Sequence, residues 1–168
     1  YADKACVLTS PPMLLKDGRL MVNFEVYKTY YDEGAFSHHA ACIFSEDGGK
    51  TWSKPEPFAE TGILPRLVTL PCGVTMLCYA RPGMYVAITE DGYDWEKFTL
   101  IEPKDRSHLA NEPIETPTWH QWDGACGNAG LVPIDENSAM IFYGDFYYPD
   151  GEGVRRKTIL CRKLTVER

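Results

Sequence analysis

No apolar run in this sequence approaches the ~20 residues of a helix that crosses a bilayer, so no helical membrane span is expected. Basic charge is also short: 17 Lys and Arg stand against 24 Asp and Glu, a net charge of −7. A nucleic-acid partner would want a basic face, so none is expected. The six cysteines form no C-x-x-C pair. That spacing argues against a zinc site, and no metal or other cofactor is expected. His38 and His39 are adjacent, so on a strand they point to opposite faces and make a poor metal pair. No stretch combines a 3.6-residue apolar period with both helix caps, so no helix is expected. The sequence opens at Tyr1 with neither Met nor a signal peptide, the pattern of a processed or trimmed product. The compartment is not legible from these residues.

What is present is a globular composition, with 44% hydrophobic and 12% aromatic residues among 168. That is enough for one domain with a core. Cys6, Cys42, Cys78 and Cys161 lie in or beside strand-like runs and are expected as thiols packed like small hydrophobes. Disulfides would require export. The strongest local signal is Ser45-Glu46-Asp47-Gly48-Gly49-Lys50-Thr51-Trp52, an S-x-D-x-G-x-T-W pattern. It lies between the apolar run Ala40 to Phe44 and the turn Lys54-Pro55-Glu56-Pro57, and reads as strand, tight turn, strand. The Asp47 carboxylate accepts hydrogen bonds from its own turn. Gly48 and Gly49 permit positive φ. Trp52 supplies a ring to plug against a neighbouring sheet, so Trp52 and Trp95 are expected to be mostly buried. A second copy runs Thr89-Glu90-Asp91-Gly92-Tyr93-Asp94-Trp95, one residue shorter.

Ser45 and Thr89 lie about 44 positions apart, a period that suits one four-stranded propeller blade. Three strand-turn-strand runs repeat in step: Leu15 to Phe24, Leu70 to Tyr79, and Ile134 to Tyr143. Gly18, Gly73 and Asn137 fall where positive φ is easiest. Three units follow, at about 11–58, 64–101 and 128–167, within one domain over 1–168. The third lacks the motif, and its last strands are expected at Thr158 to Cys161 and Leu164 to Val166. Ala5 to Leu8 reads as a strand left over from a preceding blade. The expected fold is therefore all-β, with three antiparallel sheets of three or four strands arranged as part of a ring.

In such blades the turns at Gly18, Gly73 and Asn137 share one face with the two S/T-x-D motifs. The other face receives long segments at 25–39, 80–84 and 144–157 and links at 60–66 and 102–128. It collects Glu25, Arg66, Arg81, Trp119, His120, Trp122, Asp123, Asn128, Asp145, Tyr147 and Tyr148. Rings that stack on pyranose faces, beside carboxylates and guanidinium groups, suit a sugar. Arg155-Arg156-Lys157 reads as a solvated hairpin loop.

The whole chain resembles the C-terminal half of a sialidase-like six-bladed propeller. The two motifs match the Asp-box of that family, with Ser45, Asp47, Gly49, Thr51 and Trp52 in the first and Thr89, Asp91, Gly92 and Trp95 in the second. Tyr79-Ala80-Arg81-Pro82-Gly83 and Tyr143-Gly144-Asp145-Phe146 add to the likeness. The resemblance implies an exo-acting glycoside hydrolase, or half of one, and a secreted or periplasmic protein. The family uses an arginine triad for the sialic acid carboxylate, a Tyr nucleophile activated by a Glu, and an Asp acid/base. Its first arginine and its Asp come from the half not represented here. Its Glu would fall near Leu64-Pro65-Arg66, where there is no carboxylate, and its Tyr near Asn128. The candidates in this chain are Glu25, Asp145 and Tyr143 for catalysis, with Arg81, Arg66, Trp119, Asp123 and Tyr147 for substrate binding. The alternative is a non-catalytic carbohydrate-binding or structural half-propeller. Carbohydrate, an acidic sugar in particular, is the expected ligand. Three blades cannot close a ring, so a second copy or a missing N-terminal half is expected to cover the terminal sheets.

Overall fold

The computed structural model describes residues 5–8, 11–27, 39–59, 62–80, 83–101 and 129–167. Among them there are twelve strands and no helix. Sheet 1 holds β1 (Ala5–Leu8), β2 (Met13–Leu14), β3 (Leu20–Tyr27), β4 (His39–Ser45) and β5 (Glu56–Ala59). Sheet 2 runs β6 (Ile63–Thr69), β7 (Thr75–Ala80), β8 (Met84–Thr89) and β9 (Glu96–Ile101) in chain order. Sheet 3 runs β10 (Gly130–Pro133), β11 (Ser138–Pro149) and β12 (Arg155–Thr165). Every pairing is antiparallel. The short turns decide this, since antiparallel neighbours need only a hairpin between them.

Sheet 2 lies between the other two. All six residues of β7 are buried, and they alternate between two cores, as the two-residue period of a strand dictates. Leu77 and Tyr79 pack with Met21, Cys42, Phe44 and Phe58 of sheet 1. Met76, Cys78 and Ala80 pack with Leu131, Ala139, Ile141 and Tyr143 of sheet 3. The first strand of sheet 2, β6, touches β2 and β3 on one side and β10 on the other.

The model corrects several expectations. β1 pairs with β3, Cys6 opposite Val26, so Ala5 to Leu8 belongs to the first sheet. With β2 it forms one interrupted first strand. The last strands are a single β12, because β11 runs on to Pro149 and gives it a partner along most of its length. The segment 144–157 is therefore mostly strand around a turn, closed by Asp150 N–H to the Val154 carbonyl at 2.9 Å. Arg155-Arg156-Lys157 opens β12 rather than forming a loop. Asn137 is not left-handed: the only described non-glycine there is Leu64. Asn137 instead ties the turn to the end of β12, its side-chain amide donating to the Val166 carbonyl at 3.0 Å. Gly18 and Gly73 do take positive φ, 89° each. Cys42 and Cys78 are buried as expected, whereas Cys6 and Cys161 are exposed. Burial pushes the Cys78 thiol up to about 12.

Candidate functional site

The two ends of the sheets differ. At the turn end, the turns at Ser45 to Trp52 and Thr89 to Trp95, the two boxes named above, close on themselves. Gly49 N–H donates to Ser45 Oγ at 2.8 Å, and Ser45 Oγ donates to Asp47 Oδ1 at 2.9 Å. Thr51 donates to Asp47 twice, from its N–H at 2.8 Å and its hydroxyl at 2.6 Å. These bonds, the Thr51 hydroxyl first, hold the Asp47 carboxyl down to about 2. In the shorter copy the N–H groups of Tyr93 and Asp94 donate to Asp91 Oδ1 at 2.8 and 3.0 Å and lower its pKa. The Asp94 N–H thus replaces Thr51. Each indole donates back into its turn, Trp52 to Gly49 and Trp95 to Gly92, both at 3.1 Å.

The expected burial of Trp52 fails: it is 37% exposed. Trp95 is half-buried and packs edge-on to Phe58 of the preceding sheet at 5.0 Å. No described sheet precedes sheet 1, so the ring of Trp52 has nothing equivalent to cover.

Arg19, which sequence reasoning did not single out, joins the first turn to the second box. Its guanidinium pairs with Asp17 at 2.6 Å, donates to the Asp91 carbonyl, and lies 3.7 Å from the Tyr93 ring centre. Gly92 beside it holds φ of 81°, the left-handed region that favours glycine, and a Cβ there would also displace the Leu15 methyl. The available signal was the Asp17-x-Arg19 pair on a turn. A further backbone bond, Cys72 N–H to the Glu136 carbonyl at 2.9 Å, joins sheets 2 and 3 at the same end.

At the opposite end, side chains from three sheets point inward. Glu25, 3% exposed, lies on β3 rather than on a loop, and its carboxylate accepts the Leu64 N–H across the sheet junction. Leu64 holds φ of 49°, in a bulge that shifts the register between Ile63 and Arg66. A left-handed non-glycine costs roughly 1–3 kcal/mol and persists only where its surroundings hold it. Glu25 is one of the holders. The family glutamate was expected near Leu64 in sequence, and here a carboxylate reaches that backbone from another strand. Arg66, two residues on, pairs with Cys78 and so shares the face of sheet 2 turned to sheet 3. It is half-buried, and its Nη1 is buried with no hydrogen-bond partner among the described residues.

Tyr143 and Asp145 are also strand residues, on β11, at 1% and 3% exposure. By the two-residue period they share a face with Ala139 and Ile141, and Tyr143 packs there against sheet 2. The Arg162 guanidinium lies 6.0 Å from the centre of the Tyr143 ring. Tyr148 is exposed further along the strand. Tyr147 lies on β11, but its side chain is outside what is described. Arg81, Trp119, His120, Trp122, Asp123 and Asn128 all lie outside the described residues. Glu25 thus reaches the start of β6 from sheet 1, while Arg66 shares the face of sheet 2 turned to sheet 3, the sheet that carries Tyr143 and Asp145.

No family model matches the chain, and no curated protein matches it. Among solved structures it is similar to a crystal structure of a protein of unknown function from Dyadobacter fermentans DSM 18053. Identity is 14%, the TM-score is 0.49, and the match covers 96% of this chain and 42% of that one. The chain therefore spans less than half the length of that structure.

Proposed function

We propose that the chain is part of a sialidase-like β-propeller and that the sheet end opposite the Asp-boxes is a carbohydrate site. One observation carries this reading: two buried carboxylates, Glu25 and Asp145, come from different sheets to the end where Arg66 keeps a buried Nη1 with no acceptor among the described residues. A guanidinium N–H without an acceptor is the donor that the carboxylate of an acidic sugar satisfies. Glu25 already accepts the Leu64 N–H. We assign it to positioning the β6 backbone rather than to chemistry. That assignment favours binding over turnover. A second reading, glycoside hydrolysis, is favoured by Tyr143 and Asp145 standing two residues apart on one face of β11. There Asp145 would serve as the proton donor and Tyr143 as the nucleophile of a retaining reaction.

A panel of sialosides and neutral glycosides, scored for both binding and sugar release, tests the proposal. Saturable binding that Arg66→Ala weakens more for the acidic sugars supports the site. Release lost in Asp145→Asn adds the hydrolase reading. Neither binding nor release by the folded chain ends both. The assembly reading belongs here too. Leu8 and Leu14 on sheet 1 and Val132, Phe142 and Ile159 on sheet 3 are exposed apolar residues on the terminal sheets, where a second copy or a missing half would pack.

A further inference from the structure

Sheet 3 has three strands among the described residues, and its third strand differs from those of the other sheets. β4 and β8 are each covered by a fourth strand and contain no Asp, Glu, Lys or Arg. β12 contains Arg155, Arg156, Lys157, Arg162 and Lys163 and no carboxylate. This basic strand stands in a chain of net charge −7. Its outer edge presents a row of backbone N–H and C=O groups that no described strand pairs.

A pair of phenylalanines marks what is missing. Both fourth strands contain Glu-x-Phe, as Glu56-Pro57-Phe58 in β5 and Glu96-Lys97-Phe98 in β9. Phe58 is 7% exposed. It meets Tyr79 edge-on at 5.6 Å and Trp95 edge-on at 5.0 Å, with Lys97 Nζ 4.6 Å from its ring centre. Those three residues belong to the second strand, the Asp-box and the fourth strand of the next sheet. Phe98 pairs with Val86, which faces sheet 3, so it occupies the same place one sheet further on. It is 45% exposed. Sheet 3 offers the matching tyrosine, Tyr143, but among the described residues neither box nor fourth strand. A cleft of about 430 Å³ remains between β9 and β12, lined by Phe98, Leu100, Leu164 and Val166 among others.

We propose that the β12 edge is a docking site for a separate acidic polypeptide segment, which adds in extended form as an antiparallel fourth strand and covers Phe98. In strand addition, main-chain bonds give affinity and alternate side-chain positions give selectivity. Here the main-chain bonds come from the β12 edge, and the selective position is an apolar residue over Phe98. Charge decides among occupants. Two copies paired antiparallel through β12 would set two strands of the same basic sign side by side, an arrangement that destabilises a ladder even with Lys163 paired to Asp135 at 3.0 Å. An acidic strand reverses that sign.

The test uses a fluorescent synthetic peptide of residues 94–103, the chain's own fourth-strand sequence with three carboxylates and one lysine. It is titrated onto the full chain by anisotropy, with amide hydrogen exchange along β12. The expected result is saturable binding that weakens with salt and adds protection at alternate β12 amides. About tenfold weaker binding is expected for a probe whose carboxylates are replaced by amides, and for Arg155→Glu/Arg156→Glu/Lys157→Glu. The amide probe needs no variant, so the charge test stands even if that triple substitution unfolds the chain. No binding at millimolar probe, equal binding of the amide probe, or protection away from β12 overturns the proposal. So does finding the β12 edge already protected in the chain alone. Light scattering then says whether a second copy or the chain's own segment covers it.

Discussion

The two junctions around sheet 2 are built differently. Between sheets 1 and 2 the contact is aromatic and cationic: Phe44, Phe58, Tyr79, Tyr85 and Trp95 meet there, and Arg19 and Lys97 lie over rings. Between sheets 2 and 3 it is mainly aliphatic, with Leu70, Met76, Met84, Val86, Leu131 and Ile141 around Tyr143. The first junction has an Asp-box and a fourth strand on its far side, which give the outer half of the interface something to pack against. Among the described residues the second has neither. The difference teaches that the turn ending in Trp95 serves the sheet before it. Trp95 covers Phe58 of sheet 1, while Trp52, with no described sheet before it, stays 37% exposed.

The sharpest way to break that comparison is to truncate equivalent rings. Phe58→Ala should cost about 3–5 kcal/mol, as buried Phe truncations do, whereas Phe98→Ala should cost about 1 kcal/mol or less. Trp95→Ala should cost more than Trp52→Ala for the same reason. Urea denaturation of the four variants reads this, and equal losses for Phe58 and Phe98 would sink the asymmetry.

A smaller effect is expected at the turn end. Arg19→Met keeps the aliphatic stem but removes the donor to Asp91 and the charge over Tyr93. A loss of about 1–3 kcal/mol is expected, since the change removes the charged hydrogen bonds of a guanidinium that is itself buried. Unchanged stability would mean that packing alone holds sheet 1 to the second box.

The smallest effect separates a box carboxylate from a solvated one. The folded pKa of Asp47, about 2, lies below its ordinary value. Its contribution is therefore fully present above the unfolded carboxylate pKa, about 4, and fades as pH falls toward 2. Carbon-13 titration of the Asp47 carboxyl checks this. A midpoint near the ordinary carboxylate value would show that the Thr51 bonds do not form in solution.

Local signals carried much of the fold to the page before any coordinates. The three repeated hairpins, the two Asp-centred turns and the all-β class follow from Gly18, Gly73, Asp47, Asp91 and two-residue periodicity, because each is set by bonds within a few residues. The strand ends were less legible. Glu25 and Asp145 read as loop residues, since a carboxylate in a strand looks polar until a partner strand is known. Burial of Trp52 failed for a related reason: a sequence shows that an indole has a plug to offer but not whether a neighbouring sheet is there to receive it.

By itself the sequence determined the turns and the number of strand units. Both rest on short-range hydrogen bonding and on side-chain alternation. Only the tertiary structure decided that Glu25 reaches the Leu64 backbone, that Arg19 pins one sheet to the next, that β1 belongs to sheet 1, and that Phe58 is covered while Phe98 is not. Those outcomes depend on pairings between residues far apart in the chain, such as Arg19 with Asp91 across 72 positions. No local propensity encodes them.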